Sequence, residues 1–211
     1  MNVSDKIKPY YERNLPHYQP SYADFFVTFR LAGSIPVSVV TQLMKERELE
    51  GKRIAQITNQ KAKIEEYHSF QKEYFLKFDG LLDKSDNGPN WLKIPEIANI
   101  VNDAIKYRDE KDYQLIAFTI MSNHVHMVIS TEHKEISLYK ILQSLKRHTA
   151  RESNKLLART GAFWHHESYD HVIRNDKELV QIVKYVLNNP VKAGLVKSWQ
   201  EWKWSYTKYD M

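Results

Sequence analysis

Two histidines one residue apart, His124 and His126, sit in the apolar run MSNHVHMVIS (121–130). Residues i and i+2 of a strand project to the same face, so this spacing sends both rings one way and Val125 the other. Neutral imidazoles placed together can share a divalent ion while oxygen ligands complete its sphere. Taken alone, the spacing is a weak signal for a metal, and the competing reading is two surface histidines on a solvated face. Further along, in LVQIVKYVLNNPVKAGLV (179–196), Tyr185 lies four residues after Gln181 and four before Asn189, a spacing that shares one helix face. A tyrosine hydroxyl, with a free pKa near ~10, is a poor nucleophile without activation or prior positioning. A nearby cation supplies both, and also polarises a phosphate oxygen during phosphoryl transfer. Asn189 offers a carbonyl oxygen suited to a hard ion, as a third ligand. Pro190 disfavours helical geometry at Asn189 and predicts that the helix breaks there. The competing reading of Tyr185 is a core or boundary aromatic.

These residues need a scaffold, and the periodicity of the chain describes one. DFFVTFRLAG (24–33) alternates as a strand closed by Gly33 and Pro36. From Val37 to about Phe78 the pattern is charged and helix-prone, with its weak spot at Gly51, which predicts two helices or one interrupted there. DGLLDKSDNGPNW (79–91) has the composition of a loop, and Pro95 opens a helix with Ile97, Ile100, Val101 and Ile105 at helical spacing. YQLIAFTIM (113–121) and HVHMVIS (124–130) form a hairpin across a short turn. An amphipathic helix over 137–160 buries Leu138, Ile141, Leu142, Leu145 and Leu156. HESYDHVIR (166–174) alternates as a fourth strand, and Asn175 with Glu178 forms a capping arrangement for the tyrosine helix. The order is βαββαβ plus a C-terminal helix. It predicts an α+β, ferredoxin-like sandwich with an antiparallel sheet, a helical insertion after the first strand and a C-terminal nucleophile-bearing helix. We read 1–211 as a single domain in which 37–112 is mainly helical insertion.

Composition narrows the partners. The chain has 211 residues, no cysteine and a formal net charge of +5. Without cysteine there is no disulfide framework, thiolate zinc site or cysteine nucleophile. No apolar run approaches the ~20 residues of a membrane span, and the polar start MNVSDKIKPYYERNLPHYQP lacks the apolar core of a secretory signal. A cytoplasmic protein without a membrane partner is expected. The positive charge favours an anionic partner. On the 137–160 helix, Lys140, Arg147, Arg151 and Lys155 make a basic stripe opposite the leucines, suited to a DNA backbone or simply to solvent. Arg30 and Arg174 are further candidates for DNA contact. Trp164 and Tyr169 offer faces on which unpaired bases stack, and His165, His166 and His171 are read as DNA-contact or structural residues.

MSNHVHMVI resembles the His-hydrophobic-His motif of the HUH single-strand nucleases, and YVLNNPVKAGLV resembles the nucleophile helix of the single-tyrosine, REP-associated tyrosine transposases. FFVTFRLAGSIP, SLKRHTARESNK and FWHHESYDHVIRN are similar to other segments of that family in the same order, so the likeness runs from about residue 15 to 205. The resemblance implies metal-dependent cleavage and rejoining of single-stranded, hairpin or repeat-associated DNA by a bacterial, nucleoid-associated enzyme. Tyr185 would attack the scissile phosphate to give a 5′-phosphotyrosyl link, with Mg²⁺ or Mn²⁺ held by His124, His126 and Asn189. A homodimer would allow the tyrosine helix to act on a partner's histidine pair. Alternatives from the same residues are a domesticated DNA-binding protein without strand transfer, an HUH nickase of replication or conjugation, and a metal hydrolase that leaves Tyr185 without a role.

Overall fold

The computed structural model describes residues 10–12, 16–84, 88–132 and 136–210. Met1–Ala32 and Asn90–Met211 form one compact unit, and Gly33–Pro89 forms a second. The first unit holds β1 (Tyr10–Glu12), β2 (Pro16–Tyr18) and β3 (Asp24–Arg30), while the second holds α1 (Val37–Ala55) and α2 (Gln60–Asp83). Returning to the first unit, the chain continues through α3 (Pro95–Arg108), β4 (Gln114–Ile120), β5 (His124–Ser130), α4 (Leu138–Leu156), β6 (Tyr169–Ile173), α5 (Asp176–Lys192) and β7 (Ser205–Thr207). Of the helices expected over 37–112, α1 and α2 therefore lie in the second unit, whereas α3 packs with α4 in the first.

An antiparallel sheet ordered β6-β3-β5-β4-β7 organises the first unit. Its first four members have the order expected of a ferredoxin-like βαββαβ chain. Alternation divides the residues of the central strands between two layers. Phe25, Val27 and Phe29 of β3 join Val125, Met127 and Ile129 of β5 in the apolar core, closed by Ile97, Val101 and Ile105 of α3 and Ile141, Leu142 and Leu145 of α4. The alternate residues Phe26, Thr28 and Arg30 lie opposite Val128, His126 and His124 respectively on the other face, which α5 covers by packing on β4 and β5. Among the described residues no helix is long and apolar enough to cross a membrane.

Several local expectations are corrected. The interruption between α1 and α2 falls at Gln56–Asn59 rather than at Gly51, which lies inside α1. A glycine costs a helix only about 1 kcal/mol, whereas Asn59 actively starts α2 by accepting the Ala62 N–H at 3.0 Å on its side-chain oxygen. The loop expected from residue 79 begins later, because α2 continues through Gly80 to Asp83, and residues 85–87 lie outside the described residues. Leu156 is exposed at the last position of α4, where the packed face has ended. Trp164 is core: its ring stands edge-on to Phe29 with centroids 4.9 Å apart, and its indole N–H donates to Thr149 Oγ1 at 2.8 Å. It is thereby removed from base stacking. The antiparallel β1–β2 pair and β7 were not anticipated; β7 adds to the edge of β4, where the Thr119 and Ser205 hydroxyls meet at 2.7 Å.

Pro190 does not end α5. The helix runs to Lys192, because a proline one turn from the end removes a single ladder bond. Beyond it the chain closes off with Ala193 N–H to Asn189 O and Leu195 N–H to Pro190 O, both 2.9 Å. The actual stop is Gly194, at φ +69°, a left-handed conformation that suits glycine.

Candidate active site at the histidine pair and the tyrosine helix

Strand β5 carries both histidines on the face covered by α5, and both are buried rather than solvated. Their Nε2 atoms face each other at 3.0 Å. Each ring is held from behind: His124 Nδ1 lies 2.6 Å from Asn123 Oδ1, and His126 Nδ1 lies 2.8 Å from Thr28 Oγ1. An amide oxygen only accepts, so a neutral His124 carries its proton on Nδ1 and presents a lone pair at Nε2. The Thr28 hydroxyl donates or accepts, so His126 can carry its proton on Nε2, donating to His124, or on Nδ1, leaving two lone pairs convergent. Such oxygen partners behind imidazoles are the arrangement that orients metal-ligating histidines.

Helix α5 sets Tyr185 against this pair. The half-buried Tyr185 ring stands edge-on to His126, centroids 5.9 Å apart, and edge-on to Phe26 at 6.2 Å. Phe26 in turn stacks on His126 at 5.8 Å, so the three rings fix one another. Lys192 Nζ lies 5.9 Å from the Tyr185 ring centre. One turn on from Tyr185, Asn189 is fully buried and donates from Nδ2 to the Tyr185 carbonyl at 2.9 Å. Its Oδ1 is buried with no hydrogen-bond partner. A buried acceptor in that state costs about 1–3 kcal/mol, which a cation would recover. Two imidazole nitrogens already 3.0 Å apart are a donor pair that fits a divalent ion of the Mg²⁺ or Mn²⁺ type when oxygen ligands complete its sphere.

The start of α5 is anchored to β6. Asn175 Oδ1 accepts the Glu178 N–H at 2.9 Å, as the capping pattern anticipated. Glu178 reaches back to accept the Arg174 N–H and to pair with His171 Nε2, both at 2.8 Å. Burial pushes the Glu178 carboxyl up, but His171 and the Arg174 N–H together hold it below the ordinary carboxylate range. The Arg174 side chain itself is exposed.

A second polar cluster adjoins the pair. Arg30, the last residue of β3 and the cross-strand partner of His124, is only 4 % exposed. Burial brings its guanidinium down to about 10, partly countered by Glu167, so it remains a cation at neutral pH. Burial and then the Arg30 charge push His165 down to about 4, which keeps that ring neutral. His171 is occupied by Glu178, and Lys146 Nζ ties down the His165 and His166 carbonyls at 2.6 and 3.0 Å.

The basic stripe sits elsewhere. Helix α4 packs on the sheet face opposite the histidines. Lys140, Arg147, Arg151 and Lys155 are all exposed, but Arg151 and Lys155 both engage Glu152. Thus β5 and α5 bring His124, His126, Tyr185 and Asn189 into one layer, while the stripe lies in the other. Thr28, Asn123 and Phe26 were missed from the sequence. Asn123 was visible as the residue before the pair, but Thr28 and Phe26 depend on the register of β3 against β5.

Comparison with known proteins bears on these same segments. Residues 95–189 match the family model described as Transposase IS200 like. A curated protein of Haemophilus influenzae, named as a REP-associated tyrosine transposase, is 24% identical over 108 residues, covering 47% of this chain and 61% of the relative. One of Escherichia coli with the same name is 24% identical over 110 residues, covering 51% of this chain and 62% of the relative. The matches thus span somewhat over three fifths of those relatives' lengths. A solved structure of a REP-associated tyrosine transposase bound to a REP hairpin aligns over 92% of this chain and 80% of that one, with 17% identity and a TM-score of 0.48. The stretch from α3 to Asn189, which carries the histidine pair and the tyrosine, matches the IS200-like transposase family, and the resemblance read from the sequence is borne out there.

Proposed function

We propose that this chain cleaves and rejoins single-stranded DNA, on hairpin or repeat-associated sequence, with Tyr185 as nucleophile. The observation that carries the reading is the Tyr185 ring set against His126 of the same chain, 5.9 Å between centroids. Tyr185 Oη forms a bond to the scissile phosphorus as the bond from phosphorus to the 3′ oxygen breaks. The phenolic proton is balanced by the 3′-hydroxyl of the upstream strand that leaves, and the downstream strand stays on the tyrosine through its 5′-phosphate. A phosphodiester is exchanged for a phosphodiester, so the reverse attack by a 3′-hydroxyl rejoins strands without an external energy source. Phe26 and His126 hold the tyrosine ring, and Asn189 tethers the turn of helix that follows it. His124, His126 and Asn189 would hold Mg²⁺ or Mn²⁺, which when bound supplies a positive centre that polarises the phosphate. Lys140, Arg147, Arg151, Lys155 and Arg174 are proposed to bind the DNA backbone, and the 33–89 unit to be a helical extension of one catalytic domain.

Incubating the protein with a panel of single-stranded hairpin oligonucleotides and Mn²⁺, followed by a denaturing gel, tests this. Wild type should give a covalent adduct, Tyr185→Phe none, and His124→Ala a yield lower by at least about 100-fold. An adduct that persists in Tyr185→Phe overturns the nucleophile. On the same oligonucleotides, replacing Lys140 and Arg147 with glutamine should flatten the salt dependence of binding by up to about 0.7 for each phosphate that is no longer neutralised.

A further inference from the structure

We propose that Arg30 binds a non-bridging oxygen of the scissile phosphodiester, beside the histidine pair, and offsets the charge that grows there as Tyr185 attacks. The proposal rests on the strand-transfer reading above and adds to it a phosphate-binding residue from β3.

Placement is the first ground. Arg30 stands directly across from His124, and two residues back on the same strand Thr28 holds His126 through Nδ1. Strand alternation therefore puts the Arg30 side chain on the sheet face that carries both imidazoles. A residue at that position shares the sheet face on which the two Nε2 atoms meet.

Chemistry is the second. Arginine at a buried strand end is an expensive choice: an apolar side chain would fill the space without desolvating a cation. Where such a cost is retained, a functional site is a common reason. The guanidinium fork matches the oxygens of a phosphate group, and it keeps its charge when buried. Glu167, also buried, is an acidic group acting on it, and the adjoining His165 adds no charge at neutral pH. The Arg30 backbone is also clamped, its carbonyl accepting the His165 N–H at 2.8 Å while Leu31 bridges to Trp164. A preorganised cation of this kind stabilises developing charge without reorganising during the reaction.

The rival account makes Arg30 only the counter-charge of Glu167, and a pair of variants separates the two. Arg30→Gln should lower the rate of adduct formation by about 100- to 1000-fold while calorimetric Mn²⁺ binding to the protein alone is unchanged. Since Arg30→Gln strands a buried carboxylate, the double variant Arg30→Gln/Glu167→Gln removes both charges. It should recover the thermal midpoint yet remain as slow as Arg30→Gln. Recovery of the wild-type rate in the double variant overturns the proposal and leaves Arg30 structural. A methylphosphonate at the scissile linkage, which replaces one charged oxygen by methyl, should slow wild type and slow Arg30→Gln by much less. Equal slowing of both would also overturn it. If wild type forms no adduct on any hairpin oligonucleotide, the strand-transfer reading fails and this proposal with it. A wild-type adduct with an undiminished rate in Arg30→Gln removes this proposal alone.

Discussion

His124 and His126 differ in what stands behind them, and the difference has chemical content. Asn123 leaves His124 one tautomer, with its Nε2 lone pair turned toward His126. Thr28 leaves His126 two, because a hydroxyl follows whichever the ring adopts. The pair therefore has a state closed by a proton shared between the Nε2 atoms and a state open to a cation, with Thr28 supporting both. Thr28→Val keeps the shape of the buried side chain and removes the hydroxyl. We expect it to weaken Mn²⁺ binding by about 10- to 100-fold, measured by calorimetry, while costing about 1 kcal/mol of stability by thermal melting. Unchanged affinity would mean that Thr28 serves the strand alone. The His-x-His spacing was legible because period-two geometry is local; the role of Thr28 was not, since it arises from pairing between residues 98 apart in the chain.

Helix α5 is held at its start and released at its end by residues far from Tyr185. Asn175 and Glu178 satisfy its first N–H groups and those of its approach, and Gly194 stops it. The capping arrangement was readable from Asn175 and Glu178 because it is a matter of three residues' spacing. The expected break at Pro190 was wrong because the rule weighs one lost hydrogen bond and omits the packing of Val186, Leu187 and Asn189, all buried. In the same way Trp164 looked available for stacking until tertiary packing buried it. The anchor also carries a pH signature. The folded-state carboxyl of Glu178 lies below its ordinary 4.5, so it contributes stability above that value and loses it as pH falls through the folded value. His171, Arg174 and Asp176 are the charged or titratable neighbours on β6 and the start of α5. Glu178→Gln should lower the thermal midpoint at pH 7 and make its decline below pH 4.5 shallower than in wild type. Parallel curves for the two proteins would show that the anchor adds nothing to stability.

At the scale of the whole chain the question is who supplies the nucleophile. The resemblance left open a pair of molecules in which one lends its tyrosine helix to the other's histidines. Tyr185 here meets His126 of its own chain, with Phe26 of the same sheet bracing both rings. That meeting takes place within one compact unit, and we expect each chain to use its own tyrosine. Mixing two inactive proteins tests the point. Tyr185→Phe keeps a complete histidine pair, His124→Ala keeps a nucleophile, and a terminal tag of different length marks each on a denaturing gel. If each chain uses its own tyrosine, the mixture forms no more adduct than the two variants do separately, at any protein concentration. Exchange of helices between copies predicts the opposite: adduct appears in the mixture, rises with concentration, and runs at the size of the His124→Ala chain, since only that chain has the hydroxyl to carry the DNA. Adduct at that size would show that the intact Tyr185 is used across an interface, and its position against His126 of the same chain would then be its resting place.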